Sequence, residues 1–335
     1  MGKTISHLRA LRNPLPVKDG LNASRIRFPE HTAPLSAYEW LLRVVARQRY
    51  RHPSDTDAEV AARFNRGEVV DCYAQPISPD QLMHPGENMW FYRIPAEETP
   101  VPFPIRTLAQ TQSLLVIDKP PFLATMPRGR HIVETALTKL RRETGNDDLI
   151  PAHRLDRLTS GVLAFIVRRQ DRGIYQNLFA ASKTDKCYEA IADYRPDLFP
   201  QESLPLQWTS RLAKTPGTVD ARVIDGPANT HTTVIRITPL NSTEQSSIEA
   251  IYGPQPPQAR YELRPLTGKT HQLRVHMCAA GVPILGDPIY PTVLDHLGAD
   301  FTKPLQLVAK SLSFVDPLSE EHMCFSSSYP TPLTL

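Results

Sequence analysis

The stretch PAHRLDRLTSG, Pro151 to Gly161, crowds His153, Arg154, Asp156 and Arg157 together and then runs into the apolar VLAFIV. A carboxylate between two arginines, just ahead of a segment apolar enough to be a buried strand, has two readings. It can bond the backbone amides of its own loop. Alternatively, it can be held ionised for chemistry on a polyanion; burial raises carboxylate pKa values, and a facing guanidinium opposes that shift. A second stretch, TGKTHQLRVHMCAAGVPILGDPIYP from Thr267 to Pro291, brings Lys269, His271, Arg274 and His276. It reads as a loop entering a helix that Gly281 ends, and its charge alone suits a solvated helix face. The spacing of His271 and His276 is poor for ligands on a helix, so no metal site is assigned. Asp287, in GDPIY, reads as a loop cap.

Both stretches must be held by a scaffold, and the chain supplies strand and helix patterns for one. LLVID (Leu114–Asp118) and GVLAFIV (Gly161–Val167) are short apolar runs of strand length. KCYEAIADY, TTVIRITPL, SSIEAIYG and ARYELRPL read as further strands, some alternating with period two. VETALTKLRRETG carries Val133, Ala136, Leu137 and Leu140 at helical spacing with Gly145 as its C-cap, and GIYQNLFAAS is a second helix. Successive strands with few helices between them predict an α+β fold with a largely antiparallel sheet. Earlier, SAYEWLLRVVARQ predicts a helix with Ser36 and Glu39 as a capping box, DAEVAARFNRG one stopped by Gly67, and EVVDCY a strand. The Pro-rich IPAEETPVPFPIRTL, Ile94–Leu108, is the boundary. The expected organisation is an irregular arm over 1–35, a small α/β domain over 36–106 and a catalytic domain over 107–335.

The 335 residues suffice for about two domains. The 33 prolines are about double the usual share and predict stiff, irregular connections. A net charge of +3 permits a nucleic-acid partner without demanding one. The four cysteines are scattered with no CxxC pair, and no apolar run approaches the ~20 residues of a membrane span. Together with a start that lacks the apolar core of a signal peptide, this predicts a cytoplasmic protein. Two near-misses fail. Gly268-Lys269-Thr270 would need an earlier glycine where Leu263 stands, and in a kinase catalytic loop the aspartate follows the arginine directly.

Taken together, the motifs resemble a known family. HRLDRLTSG and GKTHQLRVH are similar to the two signature motifs of the RluA-type pseudouridine synthases. LLVIDKPPFLATMP resembles that family's opening strand and loop, and KCYEAI its Lys-x-Tyr strand. All four occur in the family's order, and the resemblance runs from Leu108 to the C-terminus. It implies the pseudouridine synthase fold, a mainly antiparallel sheet flanked by helices and loops. The implied activity is isomerisation of uridines in ribosomal or transfer RNA, with the uridine flipped out because its reacting edges are inaccessible in a stack. Asp156 is then the catalytic carboxylate and Arg274 its guanidinium partner. Tyr188 stacks on the uracil and assists removal of the C5 proton, or is a core aromatic. Arg154 reaches into the RNA to fill the gap, and Leu273 packs the base or simply the core. Lys119, Lys186 and Lys269 are the candidate substrate-binding lysines; Lys119 and Lys269 read equally as solvated. No cofactor and no metal are implied, no protein partner is indicated, and a monomer is the default.

The chain departs from the family pattern at Val308 and Pro291, which bears on loop shape rather than chemistry. The segment before the boundary vaguely resembles the ribosomal-protein-like RNA-binding domain of many relatives. RVVARQRYRH sets Arg43, Arg47, Arg49 and Arg51 around Tyr50, which suits RNA contact or a solvated helix end. Two other functions compete: an RNA-binding or ribosome-assembly protein on the same fold, and a base-excising hydrolase, which would ordinarily need a second carboxylate across the scissile bond.

Overall fold

The computed structural model describes residues 13–294 and 300–334. By its contacts the chain divides into two units. The first is the described part of Met1–Thr99 together with Met126–Asp147, and the second is Pro100–Thr125 with Asp148 onward. The division falls inside the Pro-rich connector.

The first unit runs β1 (Ser24–Arg27), β2 (Leu35–Ser36), α1 (Ala37–Ala46), α2 (Asp57–Asn65), β3 (Val69–Val70), β4 (Leu82–Met83) and β5 (Asn88–Phe91). β5 lies between β1 and β3, all antiparallel, and β2 pairs with β4. At the start of α1 the Ser36 hydroxyl accepts from the Glu39 amide at 3.2 Å. Leu41 and Val45 are buried with Phe28, Val60, Met89 and Phe91, and Trp40 packs against them. Thr56 caps α2, and Gly67, at φ 66°, follows its end. Two expectations need correcting. Residues 1–35 are not wholly an irregular arm, because Ser24–Arg27 pairs with Asn88–Phe91; one apolar residue, Ile26, is too weak a period-two signal to read. Helix α3 (Ala136–Thr144), expected within the catalytic stretch 107–335, groups with the first unit instead. Arg141 donates to the Gly20 carbonyl at 3.3 Å and Arg142 to that of Asp19 at 3.1 Å. The helix packs on a sequence-distant segment, which a linear boundary misses.

The second unit opens with β6 (Arg106–Gln110), β7 (Leu114–Lys119), β8 (Ile150–Pro151), β9 (Ser160–Ile166), α4 (Arg172–Ala180) and β10 (Asp185–Asp193). It continues with β11 (Leu206–Ala213), β12 (Arg222–Ile224), β13 (Thr230–Pro239), α5 (Ser242–Tyr252), β14 (Gln258–Pro265), α6 (Gln272–Ala279), β15 (Leu307–Val315) and β16 (His322–Ser326). One sheet runs β12-β11-β13-β14-β10-β15-β9-β7-β6, with β16 on β15 and β8 on β9. Among the described residues only the β9–β15 pairing is parallel, so the fold is α+β with a mostly antiparallel sheet. SSIEAIYG, read as a strand, belongs to α5: Asn241 and Glu244 form a complete capping box, which outweighs the short alternation.

β9 sits deep in this sheet and is buried along its whole length. Both of its faces are covered, as a near-continuous apolar run requires. Each fully buried Val, Leu or Ile here contributes about 1.5–3 kcal/mol. Gly161, at φ 106°, lets β9 approach β15 so closely that a Cβ would stand 2.3 Å from the Ala309 carbonyl oxygen. The Asp156 loop ends on this fixed point.

Candidate active site

The loop between β8 and β9 carries Asp156, and its neighbours are pinned by the loop after β7. Thr125 Oγ1 accepts from the Leu155 amide at 3.1 Å and donates to the Leu155 carbonyl at 2.7 Å. Lys119 Nζ donates to the carbonyls of Pro120 and Leu123, both at 2.8 Å, and of Arg157 at 3.3 Å. Arg157 donates in turn to the Phe122 carbonyl at 3.4 Å. Phe122 has φ 65°, a strained conformation for a bulky residue, and is held there by this clamp and by stacking on Phe103. The arginines flanking Asp156 thus differ: Arg157 turns inward, while Arg154 is exposed. His153 stacks on Phe179 at 4.8 Å and accepts from the Ala164 amide at 3.2 Å; burial pushes its pKa down to about 3, so it is neutral.

Lys119 is therefore neither the substrate-binding lysine nor the solvated one that the sequence offered as alternatives. It is 0% exposed, and its three protons are matched by three carbonyls. Burial pulls its pKa down to about 7. Its hydrogen bonds tie the loop after β7 to the loop that carries Asp156.

The Asp156 side chain is 25% exposed. Among the described residues no loop amide donates to its carboxylate. Arg274 Nη1 lies 3.7 Å and His271 Nε2 3.9 Å from the same oxygen, Oδ2. Both come from the start of α6, which is not a solvated face. Gln272, Leu273, Arg274 and His276 are all buried. Gln272 bonds the His231 carbonyl and Thr232, while His276 meets Ser210 and Thr230 through Nε2 and Thr232 through Nδ1.

Arg274 is 2% exposed and forms a bidentate pair with Asp287, Nε and Nη2 each at 2.7 Å. Burial alone would lower the Arg274 pKa. The hydrogen bonds and charge of Asp287, with the charge of Asp156, more than offset that and raise it. Asp287 is the loop cap expected, accepting from the amides of Ile289 at 2.8 Å and Tyr290 at 3.2 Å, but it is also the anchor of Arg274. Gly286, at φ 77°, brings it there; a Cβ at that position would meet the Pro304 carbonyl at 2.5 Å. The guanidinium lies over the Tyr290 ring at 5.2 Å.

Tyr188 stands on β10 where the pairing with β15 is irregular between Cys187 and Tyr188, a device that re-aims side chains beside sites. Burial pushes its phenol up, and the Asp156 charge adds to the shift, so Tyr188 keeps its proton at neutral pH. Lys186, on the same strand, is half-buried with Nζ over the Phe179 ring at 5.7 Å, and burial lowers its pKa. Leu273 is 7% exposed, and Lys269 is exposed. The structure thus gathers Asp156, Arg274 and Tyr188, and leaves Lys119 out as a substrate contact. Residue types alone did not find His271, Tyr290 or the second role of Asp287; the spacing from Arg274 to GDPIY was the one signal.

A sequence profile of the family described as RNA pseudouridylate synthase matches residues 113–279. Pseudouridylate synthase RPUSD2 of Homo sapiens is 32% identical over 200 residues, covering 57% of this chain and 31% of that protein. This chain therefore corresponds to a minor part of that relative. The dual-specificity RNA pseudouridine synthase RluA of Haemophilus influenzae is 30% identical over 223 residues, 65% of this chain and 90% of that protein. Among solved structures, human RNA pseudouridylate synthase domain containing 1 shares the fold, with a TM-score of 0.51 at 20% identity over 70% of this chain and 87% of that one. With its four motifs in order and a relative matched over nearly its full length, this chain belongs to the RluA-type family of RNA pseudouridine synthases.

Proposed function

We propose that this chain isomerises specific uridines in ribosomal or transfer RNA to pseudouridine in the cytoplasm, with Asp156 as the essential carboxylate. The observation that supports this best is the setting of Asp156: partly open, free of its own loop's amides, and facing a cation fixed by a second carboxylate. The flipped uridine loses its C1′–N1 bond, the uracil turns while held, and C1′ is rejoined to C5. The C5 proton departs and N1 gains one, so the atoms balance without a co-substrate. Asp156 attacks the base or the sugar carbon, or assists loss of the C2′ hydrogen. Tyr188 offers an aromatic face to the uracil beside it. Arg154, exposed on the same loop, fills the gap in the RNA. Lys269, also exposed, and Lys186 contact the backbone, and Leu273 backs the base.

A base-excising hydrolase is less well supported, because Asp287, the other carboxylate of the cluster, is fully buried and consumed by Arg274. A pure RNA binder would have no use for a carboxylate facing such a cation. The first unit serves RNA contact through its exposed Arg43, Arg47, Arg49 and Tyr50, with the Arg49 guanidinium over the Tyr50 ring at 5.4 Å.

The test is to incubate the full chain and Asp156→Ala with unmodified ribosomal and transfer RNA transcripts and to map pseudouridine. Sites made by the native chain and by no Asp156→Ala preparation are expected. An abasic site would mean a hydrolase. Tight binding by both proteins with no modification, including on partly assembled ribosomal particles, would leave the binding protein.

A further inference from the structure

His271 stands in an unusual place. It is the residue before α6, with φ 57° and ψ 18°, a left-handed conformation that side-chain-bearing residues seldom adopt. Its side chain is 10% exposed. Nδ1 lies 3.0 Å from Tyr290 Oη, and Nε2 lies 3.9 Å from Asp156 Oδ2. The Tyr290 hydroxyl is itself held on the backbone of Ala221, accepting from its amide at 2.8 Å with its carbonyl 3.1 Å away.

These contacts determine where the imidazole proton sits. The Ala221 amide can only donate, so Tyr290 Oη accepts there and has one proton to give. Given to the Ala221 carbonyl, it would require a proton on Nδ1 and leave a bare Nε2 lone pair toward the carboxylate. Given to Nδ1, it puts the histidine proton on Nε2, toward Asp156. The negative charge of an ionised Asp156 selects the second arrangement. The ring is neutral at neutral pH: burial pushes its pKa down to about 4, with Arg274 and Lys214 adding to that and Asp156 and Asp287 opposing it.

We propose that His271 is a positioning residue, locked by Tyr290 with its proton on Nε2, and that its N–H dipole joins Arg274 at Oδ2 of Asp156 so that Oδ1 is presented to the uridine. This rests on Asp156 being the catalytic carboxylate. It gives the β11–β12 connection a role as well, since Ala221 orients Tyr290, which orients His271. At 3.9 Å the contact is ion–dipole rather than a hydrogen bond, so the effect is a moderate one.

Two measurements test it. The full chain labelled with nitrogen-15 histidine reports the tautomer by NMR at neutral pH, without RNA, with the His271 signals assigned by their loss in His271→Asn. A proton on Nε2 with Nδ1 as acceptor is expected, giving way to a tautomer mixture in Tyr290→Phe. An imidazolium, or a proton on Nδ1, in the native chain overturns the proposal. The second measurement is single-turnover pseudouridine formation on the transcripts above. His271→Asn keeps a polar atom near Nδ1 and tolerates the left-handed backbone, but does not reach Asp156. His271→Gln places its amide near Nε2. The Asn variant should lose about tenfold in rate at unchanged RNA affinity, and the Gln variant should recover most of it. Equal rates for native and Asn chains, or a loss confined to RNA affinity, overturn the positioning role. Asp156→Ala, run alongside, separates the two failures: if it still converts uridine, the catalytic assignment beneath the proposal has failed.

Discussion

Arg63–Asp55 in the first unit and Arg274–Asp287 in the second are both buried, at 1% and 0% exposed and at 2% and 0%. Both guanidiniums lie over an aromatic ring, Phe91 at 5.9 Å and Tyr290 at 5.2 Å. They differ in how fully they are satisfied. Arg63 meets Asp55 through Nη1 alone at 2.7 Å, and among the described residues Arg63 Nη2 and Asp55 Oδ2 have no hydrogen-bond partner. Arg274 spends two nitrogens on Asp287, whose Oδ1 also takes two amides, and its remaining Nη1 stands 3.7 Å from Asp156. A buried ion pair is weak evidence for stability in itself, because desolvation offsets the attraction. What distinguishes the second pair is a bidentate geometry that leaves one donor in a fixed direction, which makes it a device for aiming charge.

The largest expected effect is from breaking that device. Asp287→Ala leaves the Arg274 guanidinium buried without its bidentate partner and uncaps the Ile289–Tyr290 turn. Unfolding free energy should fall by about 3–5 kcal/mol, read from denaturant melts. Pseudouridine formation should drop below detection under conditions where the protein is still folded. Asp287→Asn keeps an acceptor without the charge and should lie between. A folded, fully active Asp287→Ala would show that Arg274 needs no anchor, and the contrast between the pairs would lose its meaning.

Why was so much of this legible in the sequence, and the rest not? Asp156, Arg274 and Tyr188 sit in contiguous motifs, whose spacing survives in a linear reading. The strand-rich second unit was equally visible as alternating or apolar runs ended by turn residues. What could not be read was the direction of charged side chains. Lys119, Arg274 and His276 all look solvated by type. Each is buried because its partners arrive from elsewhere: loop carbonyls as far as Arg157 for Lys119, Asp287 for Arg274, and Ser210, Thr230 and Thr232 for His276. The membership of α3 in the first unit was hidden for the same reason, since its contacts to Asp19 and Gly20 span more than a hundred positions.

Acid sharpens the comparison from the surroundings of the second pair. Burial lowers the pKa of both His271 and His276 to about 4 from an ordinary 6.5. Between those values the unfolded chain binds protons that the folded one does not, so stability falls as pH drops from about 6.5 toward 4. For a group shifted this far the loss is on the order of 3 kcal/mol once titrated through. Melts across that window should show the decline, and His276→Asn, which keeps polar atoms near Ser210 and Thr232, should make it shallower. An unchanged slope would mean that His276 is not the buried neutral base its contacts describe.

The smallest change is expected where the first pair is replaced whole. Arg63→Ala alone should cost about 3–5 kcal/mol, since it strands Asp55 without its partner. Replacing both, Arg63→Met with Asp55→Leu, removes two desolvated charges and the orphaned Nη2 and Oδ2 together. Arg51 still donates to the Asp55 backbone carbonyl, which the substitution does not touch. Stability should then return to the native value or exceed it by about 1–4 kcal/mol, reduced by the Asp55 charge that the nearby Arg93 guanidinium would lose. The same exchange in the second unit, Arg274→Met with Asp287→Leu, can likewise fill its volume, yet it removes the cation facing Asp156 and should abolish modification. Melts and pseudouridine mapping on the two double variants therefore separate a pair that merely fills the core from one that aims a charge. If both doubles modify RNA equally well, that distinction is wrong.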